Sequence, residues 1–493
     1  MSSKKKIYIS SGFPEETIIY ISKILKYYLL NKNYEIIFES EETLNLFQKY
    51  FSRFKFNIKC TTKTQVLPLW YKNVFTKVLL LIILELRYVL LFCFLDKKKL
   101  LINSKNSWMD YQIYHSYIDK INYSLDENLK LSFIKKLKNI LSILDQIYCA
   151  RKMSNNIEIK YFLISHPVYQ YRAFIAKLRN KKKNFLMLGV FGLYKFFNNN
   201  SDNDWNFVSN NFFNNISKKK TFKRKSKSYW VQRLKGFSNY RCANVASQNI
   251  KKIITGDNYI FLHIFRDSPF RVIDKSRIFI DYFQWFNETM KIIQKSNQKW
   301  FIRLHPIHKE WGENQSLIVK KLLKEGGFNR KNIIIDNKLS SNYEIFKKAN
   351  KIVTYSGTPA LEATAFGIKP IIISKTALYS LDNNSAFKPK SLNEYRKLLL
   401  SEKKIFNNNK KIQQKAKELI YIQEKILRFD RDIASTETYK NTNNKFKKKN
   451  INNLLSNIDK SYVLKNNSNI LEKNNTTYST EFFEYYNDRK LSN

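Results

Sequence analysis

Lys351-Ile352-Val353-Thr354-Tyr355-Ser356-Gly357-Thr358-Pro359-Ala360-Leu361-Glu362-Ala363-Thr364-Ala365-Phe366-Gly367-Ile368-Lys369-Pro370-Ile371-Ile372-Ile373-Ser374 is the stretch whose pattern sets the fold class. An apolar strand through Ile352 and Val353 runs into the small-residue turn Ser356, Gly357 and Thr358. A short helix is predicted next, with Thr358 as its N-cap and Pro359 at its first position. Gly367 ends that helix, and Ile371 to Ile373 form the next buried strand. The loop presents backbone N–H groups at the positive end of a helix dipole, and Gly357 has no side chain to keep an anion away. Glu362 lies one turn inside. Such a loop suits a nucleoside diphosphate, with amides on the phosphates and a carboxylate accepting from ribose hydroxyls. An ordinary strand-to-helix turn gives the same pattern, since every doubly wound domain has several.

Two upstream stretches point to the same sheet edge. Lys299 to Leu304 reads as a strand ending in Arg303-Leu304-His305-Pro306, and an Arg and a His at the carboxyl end of a parallel strand sit where such sheets bind ligands. Tyr259 to Phe265, with His263 inside it, is another buried strand, running into the polar loop Arg266-Asp267-Ser268-Pro269.

In this order, the His/Asp loop, the Arg-Leu-His-Pro turn and the Ser-Gly-Thr-Pro-Ala-Leu-Glu-Ala helix start resemble the nucleotide-binding half of the GT-B glycosyltransferases that build surface and capsular polysaccharides. The chain is also similar there to CDP-glycerol glycerophosphotransferases and, around Ser356 to Ala363, to lipid A disaccharide synthase. The likeness covers about residues 255 to 430. Before residue 160 only Ile113-Tyr114-His115-Ser116-Tyr117 matches a segment of those proteins, and His115 stands where the family prefers an acidic residue. The resemblance implies two Rossmann-like domains with a cleft between them and a nucleotide-sugar donor. The donor's phosphates are expected at Ser356, Gly357, Thr358, Arg303 and His305, and its ribose at Glu362. It implies a glycan or lipid-linked acceptor on the first domain, and no cofactor or metal. His166, Asp267 and His263 are the catalytic candidates, the first two as bases for the acceptor proton. The rival readings are transfer of a phosphoalditol from a CDP-alcohol, a UDP-sugar 2-epimerase, and a non-catalytic membrane-associated adaptor.

The chain of 493 residues exceeds a single core and suits two domains with extensions, expected at 1–250, 251–430 and a low-complexity tail at 431–493. Its 88 Lys and Arg against 40 Asp and Glu give a net charge of +48. Abundant Asn beside only 10 Gly and 8 Pro assigns most of that excess to a composition of the kind an AT-rich genome encodes. What remains suits attraction to an anionic membrane, with a cytoplasmic, peripheral location. No RNA-recognition, zinc-finger or basic-zipper pattern accompanies the basic residues, so nucleic acid is not expected as a partner. The four cysteines (Cys60, Cys93, Cys149, Cys242) lack metal-ligand spacing and suit a reducing compartment. The amino terminus lacks the apolar run of a signal peptide.

In the first half, strands are predicted at Ile7 to Ser11, Tyr34 to Phe38, Phe54 to Lys59, Tyr161 to Ser165 (ending at His166) and Phe185 to Val190. A helix is predicted from Glu15 to about Leu30. Val78 to Leu95 is an apolar helix of barely spanning length. Its charges Glu85 and Arg87 cost about 2.5 to 3.5 kcal/mol each at a bilayer centre, so it is read as buried or lying in the membrane interface. Residues 198–228 read as an Asn/Lys-rich insertion loop. Within it, Asp202-Asn203-Asp204 has the spacing of an Asp-x-Asp metal motif but no buried strand before it. His305 and His308 have ligand spacing without a third partner nearby in sequence.

Overall fold

The structure, a computed structural model, describes residues 5–11, 18, 34–51, 60–62, 73–94, 112–114, 116–117, 120, 131–164, 174–175, 184–189, 192–195, 217–234, 258–265, 278–279, 282–306, 308–309, 312–328, 331–336, 342–355, 357–373, 385–401 and 409–422. They fall into two compact units. One draws on Met1–Phe94 and Leu137–Asn200, the other on Leu95–Lys136 and Ser201–Lys425.

The first unit holds a six-stranded sheet in the order β3-β2-β1-β4-β5-β6. Its strands are β1 (Lys5–Ile9), β2 (Tyr34–Phe38), β3 (Cys60–Thr62), β4 (Ile159–Ile164), β5 (Asn184–Gly189) and β6 (Gly192–Lys195). All pairings are parallel except β5 with β6. Ile7, Tyr8 and Ile9 of β1 and Ile36, Ile37 and Phe38 of β2 are fully buried, as expected for parallel strands covered on both faces. The third strand is Cys60–Thr62, downstream of the Phe54 to Lys59 expected; 54–59 lie outside the described residues, as does the helix expected at 15–30.

Helix α1 (Glu41–Phe51) follows β2, its first turn closed by Ser40, whose Oγ accepts from the Thr43 amide at 3.3 Å. The apolar stretch expected as one helix from Val78 forms two, α2 (Val74–Leu84) and α3 (Leu86–Phe94). Asn73 caps α2 by accepting from the Phe75 and Thr76 amides, and the helix breaks at Glu85 (φ −130°, ψ 32°). The break occurs where Glu85 meets Arg151 of α4 (Phe133–Asn155) at 2.6 Å, while Lys77 meets Asp145 of the same helix at 2.8 Å. No helix among the described residues is long and apolar enough to cross a membrane.

The second unit holds a five-stranded, wholly parallel sheet in the order β11-β10-β7-β8-β9. Its strands are β7 (Asn258–Phe261), β8 (Trp300–Arg303), β9 (Ile333–Asp336), β10 (Lys351–Thr354) and β11 (Ile371–Ile372). Successive side chains of a strand point to opposite faces. Ile260, Trp300, Ile302 and Val353 accordingly join one apolar cluster, and Tyr259, Phe261, Phe301 and Ile352 the other. The first cluster receives Trp285, Phe286 and Met290 of α6 (Tyr282–Ile293), Val319 and Leu323 of α7 (Gln315–Glu325), and Tyr395 and Leu399 of α10 (Leu392–Leu400). The second receives Ile345 and Phe346 of α8 (Asn342–Lys348) and Ala363 of α9 (Thr358–Ala365). Helices thus cover both faces, the doubly wound arrangement.

The second half of the expected insertion loop is helical. Helix α5 (Lys220–Leu234) buries Phe222, Ser226, Tyr229, Trp230 and Arg233, a helical period hidden in the sequence by the intervening lysines. Phe222 and Tyr229 each lie 5.7 Å from the Tyr421 ring of α11 (Lys410–Tyr421), and Trp230 packs edge-on against Phe366 at 5.3 Å. Although it precedes residue 250, α5 therefore counts with the second unit. Residues 198–216, Asp202 to Asp204 among them, and the tail at 431–493 lie outside the described residues.

Candidate functional site

All carboxyl ends of a parallel sheet lie on one edge, and a crevice opens there where successive crossovers leave a strand in opposite directions. In the second unit that strand is β7, flanked by β8 on one side and β10 on the other. The register pairs Phe261 with both Arg303 and Thr354. Two residues beyond these three, the chain reaches His263, His305 and Ser356. The structure brings the His263 and His305 rings to 5.4 Å, tilted by 51°. His263 is buried and His305 half-buried. Ser356 lies outside the described residues, as do the catalytic candidates His166 and Asp267; Gly357 and Thr358 follow directly at the start of α9.

A set of buried polar groups braces these loops. The His263 amide donates to Tyr282 Oη at 2.8 Å. Burial pushes the Tyr282 phenol well above its ordinary value, so the hydroxyl keeps its proton. Gln315, fully buried at the start of α7, accepts from the His305 amide at 2.6 Å and donates through Nε2 to the His263 carbonyl at 2.9 Å. Glu313 Oε1 accepts from the Phe265 amide at 3.1 Å and from Gln315 Nε2 at 3.2 Å. One amide and one carboxylate thereby tie the ends of β7 and β8 to a single helix start. Glu313 and Gln315 were not expected from the sequence; in the structure they flank Asn314, the N-cap of α7, whose side chain accepts from the Leu317 amide. His308 turns inward, with Nδ1 2.6 Å from the Glu313 carbonyl oxygen and 3.2 Å from the Gln315 amide. No group of three metal-ligating side chains occurs among the described residues.

The N-cap of α9 is Gly357, one residue before the Thr358 expected, and no side chain caps the helix. Its extended backbone (φ 165°, ψ 167°) is open to any residue. Glycine matters here through proximity, because a Cβ would come within 3.2 Å of Pro359 Cδ. The helix ends as the sequence indicates, at Gly367 with φ 91°.

Two residues expected at the ligand, Arg303 and Glu362, have protein partners. Arg303 donates to Asp336 at 2.8 Å across β8 and β9, and both side chains are almost wholly buried. Burial lowers the Arg303 guanidinium from its ordinary value, and Asp336 offsets part of that shift. Glu362 is buried too: Oε1 accepts from Arg233 Nη2 of α5 and Oε2 from Asn342 Nδ2 of α8 at 3.1 Å. Each carboxylate oxygen already has a donor, so Glu362 joins three helices. The sequence could not show this, because Arg233 lies 129 residues upstream.

The chain matches no protein-family model and no curated protein. Among solved structures it aligns with Methanocaldococcus jannaschii UDP-GlcNAc 2-epimerase in complex with UDP-GlcNAc and UDP, at 13% identity over 85% of this chain and 99% of that one, with a TM-score of 0.24. It also aligns with Anabaena Alr3699/HepE in complex with UDP, at 10% identity over 88% of this chain and 100% of that one, TM-score 0.29. A third is a UDP-glucosyltransferase from Polygonum tinctorium, at 10% identity over 93% and 98% of the two chains, TM-score 0.23. Superpositions this loose carry no argument about this chain's fold or function, so the functional reading rests on the site itself.

Proposed function

We propose that the second unit binds a nucleotide-sugar and that the protein transfers the sugar to a glycan or lipid-linked acceptor without a metal. The observation that supports this most is the meeting of His263, His305 and the uncapped start of α9 on three adjacent strand ends at the point where the winding of the sheet reverses. In the reaction the bond between the anomeric carbon and the donor's phosphate oxygen breaks. Its electron pair leaves with the nucleoside diphosphate, and the acceptor oxygen bonds to the anomeric carbon as its proton passes to a base, His166 or Asp267. Charge grows on the leaving phosphate. This reading assigns its stabilisation to His305 and the N–H groups at the start of α9; Gln315, Glu313 and Tyr282 hold the loops that carry His263 and His305. Arg303 and Glu362 act in this reading as positioning residues, one holding the end of β8 and the other the helix α9.

Thermal melting of the full chain with UDP-, GDP-, CMP- and CDP-linked donors tests the proposal. A bound donor raises the melting temperature by mass action, about 2.7 kcal/mol at a hundred times its dissociation constant. A donor that stabilises and is consumed only when acceptor is added supports glycosyl transfer. Consumption without acceptor identifies an epimerase, and a phosphoalditol product from a CDP-alcohol identifies a phosphotransferase. Stabilisation by no donor overturns the proposal.

A further inference from the structure

Along α2 and α3 the side chains separate by type. Lys77, Leu81, Glu85, Tyr88 and Phe92 follow one another at helical spacing; Leu81, Tyr88 and Phe92 are buried, and the two charges are taken up by Asp145 and Arg151 of α4. On another face Phe75, Leu79, Ile83, Leu86, Leu90 and Phe94 recur at intervals of four, four, three, four and four, and each is between 49% and 78% exposed. Phe75, Leu79 and Ile83 on α2 and Leu86, Leu90 and Phe94 on α3 thus form two apolar ridges, each about 12 Å long at 1.5 Å per residue, on either side of the break at Glu85. Soluble chains scatter exposed apolar residues singly; rows of this kind mark a docking surface.

Charge decides the occupant. From Lys72 to Lys99 the sequence has six basic residues, Lys72, Lys77, Arg87, Lys97, Lys98 and Lys99, against Glu85 and Asp96; Glu85 is paired with Arg151 and Lys77 with Asp145, and Lys72 and Lys97 to Lys99 lie outside the described residues. Basic residues flanking apolar ridges in the sequence, in a chain of net charge +48, complement an anionic lipid surface; a second copy of the same chain would bring like charge against like. We propose that α2 and α3 form a monotopic contact with an anionic membrane, with their exposed apolar side chains sunk to the headgroup boundary. This inference rests on the first unit alone and stands whatever the second unit binds.

Sedimentation of the full chain with vesicles tests it. The chain should pellet with vesicles of equal parts phosphatidylcholine and phosphatidylglycerol, bind phosphatidylcholine alone far more weakly, and come off in high salt or alkaline carbonate. Ile83→Gln combined with Leu90→Gln should weaken the binding by roughly 100-fold, about tenfold per apolar side chain lost. The replaced residues are exposed, so the melting temperature should hold; if the double variant fails to fold, Phe75→Ser at the helix start makes the same test. Equal pelleting of parent and folded variant overturns the proposal, as does equal binding to neutral and anionic vesicles. So does a parent that ignores vesicles but forms a dimer that the variant lacks.

Discussion

Glu362 shows how one carboxylate changes meaning once its neighbours are known. As a ribose acceptor it would be replaceable by Gln with weak donor binding and a near-normal melting temperature. In the folded chain it is buried against Arg233 and Asn342, and removing one partner of a buried ion pair leaves an uncompensated charge. Glu362→Gln should therefore lower stability by about 3 to 5 kcal/mol, read by chemical denaturation. Arg233→Met with Glu362→Met should recover most of that loss, because no charge is left unpaired. An unchanged denaturation midpoint in Glu362→Gln would restore the ligand role. Glu418 offers a pH test. Burial pushes its carboxyl above the ordinary value, against the hydrogen bond from Gln414 and the nearby Lys223 and Lys227. The folded chain then holds the proton more tightly than the unfolded one, so this group adds stability as pH falls through the folded pKa and takes it away as pH rises. Glu418→Gln keeps an acceptor for Gln414 and removes the titration. Its melting temperature should exceed the parent's at neutral pH, and the gap should close below about pH 4.3, the ordinary glutamate value.

Strand ends and helix starts are where local sequence serves best and distant partners matter most. Replacing Gln315 with Leu leaves the His305 N–H and the His263 carbonyl without their present partner, at about 1 to 3 kcal/mol each. The expected outcome is faster amide exchange at 262–265 and 304–305 together with weaker nucleotide binding; unchanged exchange there would show that other groups hold the loops. Much of the second unit was legible beforehand. The strands at 259, 300, 352 and 371 stand out because a parallel sheet covered on both faces makes short, wholly apolar runs, and Pro359 and Gly367 punctuate α9. What escaped has a common cause. The buried face of α5 is interleaved with lysines, the Glu85 at the helix break meets Arg151 sixty-six residues away, and Arg303 pairs with Asp336 on β9. A single sequence shows spacing along the chain, whereas these features depend on which side chains face one another across it.

Two sheets, one wholly parallel and one parallel except at its edge strand β6, each have their first strand in the interior with strand order reversing around it, the arrangement that binds ligands at the carboxyl edge. Histidine and glycine positions mark that edge in the second unit, and the exposed ridges on α2 and α3 give the first a surface of different chemistry. If the edge of the second unit holds a diphosphate, affinity must depend on the phosphates and on His305, the half-exposed member of the histidine pair. Calorimetric titration of the full chain with nucleosides and nucleoside diphosphates, repeated with His305→Gln, reads this directly. The expected result is that one diphosphate binds much more tightly than its nucleoside. His305→Gln should then weaken the diphosphate by roughly 10- to 150-fold, the loss of one charge-assisted hydrogen bond, while leaving the nucleoside and the melting temperature near the parent's. A variant that binds the diphosphate as tightly as the parent, or a parent that binds none, would contradict the assignment.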